Sequence, residues 1–330
     1  MNNRHNNQYR RVALIVNPAS GTVSKLKIVP HVVEKLARLG IDIDTYNTRH
    51  AGHATELARH AALAGKYDAV LVCGGDGTVN EAACGLLGTD MPMAIVPAGS
   101  GNGLARHLGM PVDIDRSLNI FTHGNIIDAD CGTANGSNFF CTFGVGFDAA
   151  VSERFARSRR RGLTTYLISA LDEYVRFCPD EYVIEANGRT IAEKAFLVVV
   201  CNASQYGNNA FIAPNASITD GKLDVTIVHT GNLVQQALLG MDFITGYIGR
   251  NALIDTFRTS SLRIHRKDGG PAHIDGDPVE MPSDISIECR PAALKIFAPT
   301  KETSFKPIIT PMSLFFRDMF LHCRHLIKGH

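Results

Sequence analysis

The 330-residue sequence contains no tryptophan and no run of 18 apolar residues. The second absence predicts that no segment spans a membrane as a helix. None of its eight cysteines (Cys73, Cys84, Cys131, Cys141, Cys178, Cys201, Cys289 and Cys323) stands in a C-x-x-C pair or a His/Cys run at zinc spacing. That excludes a thioredoxin-like redox motif and a zinc finger. Several lie inside apolar runs, where a buried thiol acts as a small hydrophobe, so a reducing, cytoplasmic setting is expected. Charge excess is missing too: 33 Lys and Arg oppose 32 Asp and Glu. No global pull toward nucleic acid exists, and any basic surface must be local. The opening, MNNRHNNQYRR, lacks the apolar core of a signal peptide. G-x-x-x-x-G-K-[ST] is absent, which excludes a P-loop.

Two textures divide what is present. Residues 12–110 alternate β-rich runs (VALIV, IDIDTYN, YDAVLVC, MAIVP) with helical patterns (HVVEKLARLG, HATELARHAALAG, VNEAACGLLG). Strict alternation predicts a parallel sheet flanked by helices, with ligands bound beyond the strands' carboxyl ends. Three of those ends carry unusual loops: NPASG, GGDGT and PAGSGNG. After residue 125 come short strands separated by turn residues, from IIDADCG and NFFCTFGVG to DISIEC and LKIFAP, with helical inserts at 151–175 and 232–252. They predict a β-dominated second domain of two packed antiparallel sheets. The expected division is an α/β domain over 1–125 and a β-sandwich domain over 126–301. A tail over 302–330 is expected to pack back on the first.

In VCGGDGTVNEA (73–83), Gly74, Gly75 and Gly77 let the chain take φ > 0 and let backbone N–H groups approach an anion without Cβ clashes. Thr78 then opens a helix, whose N-terminus favours phosphate. Asp76 would repel that phosphate unless it held a magnesium ion or a proton, so the arrangement suits a metal-bound polyphosphate. A plain strand-to-helix turn would also use glycine, but average usage yields this pentamer by chance in roughly one such chain in a few thousand. GVGFDA (144–149) fits the dinucleotide pattern G-x-G-x-x-A, yet it sits in the β-rich half without a βαβ unit around it.

GGDGT, with NPASG before it and GSGN after it, resembles the diacylglycerol kinase and sphingosine kinase superfamily, which shares its nucleotide loop with NAD kinase. TRHAGHA (48–54), GFDA (146–149), IAPNASITDGKLDV (212–225) and HIDGDPV (273–279) extend the likeness along nearly the whole chain. NAD kinases lack the later motifs as a set, whereas bacterial soluble lipid kinases carry all of them. The resemblance implies an NAD kinase/phosphofructokinase-like nucleotide-binding fold joined to a β-rich sandwich. It also implies ATP and Mg²⁺ as cofactors and transfer of the ATP γ-phosphate to a lipid hydroxyl. Asn17, Ser20 and Gly21 would help hold the nucleotide, and Thr48 would contact it from the second strand's end. Gly74, Gly75, Asp76, Gly77, Thr78, Asn80 and Glu81 would wrap the phosphates, with Ser100 and Asn102 closing the other side. Asp220 with the carbonyls of Ser217 and Lys222 would bind a structural magnesium, although an Asp-Gly hairpin turn explains the same residues. The proton acceptor falls on Asp277, where the family usually has Glu, with Asp275 and Asp76 as alternatives.

GGDGTVNE resembles the diacylglycerol kinase side of the superfamily and PAGSGNGLA the sphingosine kinase side. Diacylglycerol is the first acceptor expected, with a sphingoid base or ceramide as the alternative. A non-catalytic nucleotide or lipid sensor on the same fold is the reading of a different class. The lipid substrate lies at a membrane surface, so peripheral contact is expected. Arg154, Arg157, Arg159, Arg160 and Arg161 could face anionic lipid, or simply solvent. In the tail, Phe315, Phe316, Met319, Phe320, Cys323 and Leu326 oppose Arg317, Arg324 and Lys328. That face suits a membrane, the first domain or a partner subunit, and an edge strand in the second domain allows a homodimer.

Overall fold

The computed structural model describes residues 9–19, 25–157, 177–248 and 251–300. Its first region runs β1 (Arg11–Val16), α1 (Lys25–Arg38), β2 (Asp42–Asn47), α2 (His53–Leu63), β3 (Ala69–Gly74), α3 (Asp76–Leu86) and β4 (Met93–Pro97). Then follow α4 (Gly103–His107) and α5 (Ile114–His123). The continuous apolar runs of β1, β3 and β4 are buried along almost their whole length, as central parallel strands require. Pairing is parallel in the order β2–β1–β3–β4, with half-exposed β2 at the edge. The loops after β1, β2, β3 and β4 therefore emerge along one carboxyl edge.

The second region holds β5 (Asn125–Ala134), β6 (Ser137–Phe139), β7 (Thr142–Gly146), α6 (Phe147–Arg157), β8 (Asp180–Ala186), β9 (Arg189–Cys201) and β10 (Leu223–His229). It continues with α7 (Leu233–Thr245), β11 (Ile254–Thr259), β12 (Ser261–Arg266), β13 (Gly270–Ile274), β14 (Asp277–Met281) and β15 (Asp284–Ala298). Its strands pair antiparallel with one another around a separate apolar core that includes Phe139, Phe143, Tyr182, Val198, Val200 and Ile264. The β-rich character expected from the sequence is present.

Two strands depart from the expected boundaries. NFFCTFGVG breaks between β6 and β7, because the amides of Phe140 and Cys141 turn to a carboxylate instead of a neighbouring strand. DISIEC and LKIFAP form a single strand, β15, kinked between Arg290 and Leu294, where Ala292 takes φ +50°. The first half of β15 pairs with β12. Its second half buries Leu294, Ile296 and Phe297 in the first region's core and meets β4 in parallel at Ile296–Met93. One continuous ladder thus joins both regions.

Candidate active site

Helix α3 begins at Asp76, so Asp76, Gly77 and Thr78 form its first turn. The amides of that turn have no partner within the helix and carry the positive end of its dipole. A Cβ on Gly74 would meet the Thr78 Cβ at 2.6 Å, so only glycine lets the strand pass this close to the helix it feeds. Thr78 is buried, and its Oγ1 accepts a hydrogen bond from Asn17 Nδ2 at 3.0 Å. That bond ties the loop after β1 to the start of α3, and Asn17 Oδ1 accepts the Ala19 N–H at 3.0 Å within its own loop. The Thr48 N–H donates to Val16 O at 2.8 Å and places the end of β2 on the same edge. Ser20 and Gly21 lie outside the described residues.

Asp76 fastens the third loop to the fourth. One carboxylate oxygen accepts the Asn102 N–H at 2.8 Å and the other accepts the Gly103 N–H. Burial, more than the neighbouring Asp275 charge, pushes the Asp76 carboxyl above the usual carboxylate range, while the two backbone donors pull it down. Asn102 is 5% exposed and left-handed at φ +53°, and its side chain closes on Gly99 N–H and O at 3.0 Å each. Its role in this structure is to shape the loop. Ser100 is exposed at the loop's tip. Arg106, on α4, braces the loop by donating from Nε to Gly101 O at 2.9 Å.

The β13–β14 hairpin delivers two aspartates to this edge. Asp275 and Gly276 take φ +50° and +88°, the signs of a two-residue type I′ turn, for which Asp-Gly is a preferred pair. The Asp275 carboxylate collects four donors: Cys141 N–H at 2.8 Å, Thr142 N–H at 2.9 Å, Phe140 N–H at 3.0 Å and Asn80 Nδ2 at 2.8 Å. A carboxylate has about four lone-pair sites, so Asp275 is filled. Asp277, one turn residue later, is exposed, and a Cβ on Gly77 would lie 3.3 Å from its Oδ2. The hairpin therefore sets Asp277 against the first turn of α3. Glu81 faces elsewhere: its Oε2 accepts the Ala54 N–H at 3.1 Å and caps α2.

Behind the hairpin, Asp76, Asn80, Tyr206 and Asp275 help line a cavity of about 10 Å³, room for about one water. The Tyr206 hydroxyl donates to Asp148 Oδ2 at 3.0 Å, and His273 Nε2 meets the same oxygen at 2.9 Å. The sequence gives no warning of this network or of Arg106, because each partner comes from a distant part of the chain. GFDA and HIDGD nevertheless contain its Asp148 and His273.

The 217–222 loop lies in the second region. Asp220 Oδ1 accepts the Lys222 N–H at 3.1 Å, and Asp220 Oδ2 is 3.3 Å from Arg258 Nη1. An ion on that oxygen would have to displace the guanidinium. Arg159, Arg160, Arg161 and the 302–330 tail lie outside the described residues. Among the described residues no helix is long and apolar enough to cross a membrane.

Residues 11–134 match the diacylglycerol kinase catalytic domain, and residues 141–298 match the YegS C-terminal NAD kinase beta sandwich-like domain. A diacylglycerol kinase of Mycobacterium tuberculosis is 31% identical over 306 residues, covering 88% of this chain and 95% of that protein. One from Bacillus subtilis is 29% identical over 231 residues, covering 68% and 76%. The crystal structure of a putative diacylglycerol kinase from Bacillus anthracis shares the fold, with a TM-score of 0.73 at 24% identity, covering 90% of this chain and 99% of the other. Matched by both family models and 31% identical to a curated relative across most of both chains, the chain belongs to the diacylglycerol kinase family and is a lipid kinase.

Proposed function

We propose that the protein transfers the γ-phosphate of ATP, bound as its magnesium complex, to the hydroxyl of diacylglycerol, giving phosphatidic acid. The observation that carries this reading is the placement of an exposed carboxylate, Asp277, against the N-terminal turn of α3. The phosphates would lie on the amides of that turn, between the Asn17–Thr78 contact and the Asp76-fastened GSGN loop. GGDGT and GSGN contain no lysine, so helix amides and the nucleotide's own metal must offset phosphate charge. Asp277 takes the proton from the acceptor hydroxyl as its oxygen attacks phosphorus in line and the bond to ADP breaks. Asp275 holds the hairpin, and Asp76 holds the loops.

The acceptor resides in a bilayer, and helix α7 supports a contact there. Val234, Leu238 and Met241 repeat at i, i+4 and i+7 and are 61%, 44% and 57% exposed. The helix joins the site by backbone, since Phe243 O accepts the Phe211 N–H at 2.7 Å and Phe211 closes the segment carrying Tyr206.

The test is label transfer from ATP to a mixed-micelle panel of diacylglycerol, monoacylglycerol, phosphatidylglycerol, sphingoid base, ceramide and polyprenol, with NAD as a soluble control. Label in diacylglycerol, lost in Asp277→Ala, is the expected result. Label confined to the sphingoid base or ceramide would transfer the assignment to the sphingosine kinase side. Label in none, with ATP still bound, would leave the sensor reading.

A further inference from the structure

The family likeness implies a resident divalent ion at Ser217, Asp220 and Lys222, and the geometry there already contains a cation. Arg258, on β11, stands directly across from Asp224 on β10. Its Nε donates to Asp224 Oδ1 at 3.0 Å, its Nη1 lies 3.3 Å from Asp220 Oδ2, and its Nη2 donates to the carbonyl of Asn215. Two carboxylates and one carbonyl are the hard oxygen donors that a magnesium ion takes. Here they converge on one guanidinium, whose planar fork can reach three oxygens at once.

The rest of the loop is held without an ion. Gly221, at φ +69°, donates its N–H to Asp130 Oδ2 at 2.7 Å, and the other Asp130 oxygen accepts the Ala292 N–H at 2.9 Å. Asp130 N–H in turn donates to Ile218 O at 2.6 Å. The loop is thus pinned to β5 and, through the Asp130 carboxylate, to the kink of β15. Its one exposed anion, Asp220, faces Arg258. Asp224 Oδ2 is buried with no hydrogen-bond partner among the described residues, so Arg258 is also the compensating charge for that carboxylate.

We propose that Arg258 takes the place of the structural metal in this chain, so that the β-rich region folds without a resident divalent ion. A magnesium ion prefers oxygen ligands at about 2.0–2.1 Å in octahedral array, and it could take Asp220 Oδ2 only after the guanidinium withdrew from that oxygen.

The experiment uses the full chain without nucleotide, stripped with EDTA, so that ATP-borne magnesium plays no part. Mn²⁺ binding is followed by electron paramagnetic resonance, and thermal melting is recorded in EDTA and in millimolar Mg²⁺. Wild type is expected to bind no Mn²⁺ tightly and to melt at the same temperature in both. Arg258→Met, which keeps the aliphatic stem and removes the charge, is expected to melt lower in EDTA and to recover part of the loss with Mg²⁺ while gaining one Mn²⁺ site. One tight Mn²⁺ in wild type that disappears in Asp220→Ala would overturn the proposal. So would an Arg258→Met protein that melts like wild type, or one whose loss no divalent ion restores. If Arg258→Met fails to fold, the wild-type titration alone decides. A failure here leaves the kinase reading intact, because nucleotide and lipid are absent from every arm.

Discussion

Asp275 and Asp277 are separated by a single glycine, yet the structure assigns them opposite kinds of loss. Asp275→Ala strands four donors, three of them the amides of Phe140, Cys141 and Thr142, which are 2%, 7% and 1% exposed. A buried donor left without an acceptor costs about 1–3 kcal/mol. Three such amides sum to roughly 3–9 kcal/mol before relaxation, and water entering the adjacent cavity offsets part of that. The expected loss is about 3–5 kcal/mol, a large share of the roughly 5–15 kcal/mol that holds a domain folded. Asp277→Ala removes an exposed side chain and should change stability by about 0.5 kcal/mol or less. Its turnover should fall by roughly 10²–10⁴-fold, the range of a lost general base. Asp277→Glu, the residue usual in the family, should retain turnover. Urea unfolding of the three variants, with initial rates at saturating ATP, separates the two roles. An Asp275→Ala protein as stable as wild type would refute the packing argument. Wild-type turnover in Asp277→Ala would refute the assignment of the base.

Gly99→Ala should weaken nucleotide binding, since its Cβ would strike the Cα of Gly75 and spread the two loops; isothermal titration with ATP checks this, and an unchanged Kd would count against the cradle. His107, on α4, accepts the Ser204 N–H at 3.1 Å, and burial pulls its pKa down from 6.5 to about 4. Its neutral ring is the folded form, so this stabilisation is complete above pH 6.5 and is lost as pH falls through about 4. The full loss is about 3 kcal/mol, and His107→Gln should flatten the urea midpoint against pH across that window. Coincident slopes for wild type and variant would remove His107 as the cause. Leu238→Glu combined with Met241→Glu should reduce co-sedimentation with liposomes while sparing turnover of micellar diacylglycerol; unchanged sedimentation would take α7 off the membrane.

The parallel sheet was legible because its three central strands are continuous apolar runs, and their convergent loops followed from the shared direction of the strands. Helix α5 was missed: Asp113 caps it by accepting the Arg116 N–H at 2.9 Å, but Asp-Ile-Asp-Arg gives little apolar period to mark its start. The break at Phe140–Cys141 was not legible at all. Those residues are apolar and β-prone, and what turns their amides away is a carboxylate more than 130 residues later in the sequence. The three glycines of GGDGT were expected to take positive φ, and none does; Gly74 is instead required by the close pass of the strand against Thr78. Asp76 was expected to manage phosphate charge through a metal or a proton, whereas the structure engages its oxygens with two backbone amides of another loop. Local spacing reveals which residues can approach an anion. It does not reveal which backbone groups arrive to claim a carboxylate first.

The same distinction bears on why the proposed base would come from the β-rich region and the proposed phosphate cradle from the α/β region. A carboxylate placed on the cradle itself, like Asp76, becomes buried when the loops close on it, and burial disfavours its charge. A base must keep its charge beside bound phosphates, so it is better brought in from outside on a rigid arm. The β13–β14 hairpin is such an arm: a two-residue turn fixes its tip, and Asp275 pins it to three successive amides and to Asn80 on α3. Asn80 stands on the helix whose first turn faces Asp277, so its bond to Asp275 ties the hairpin directly to that helix. The hairpin and the first turn of α3 are thereby held in register, which is the positional control the proposed in-line transfer requires.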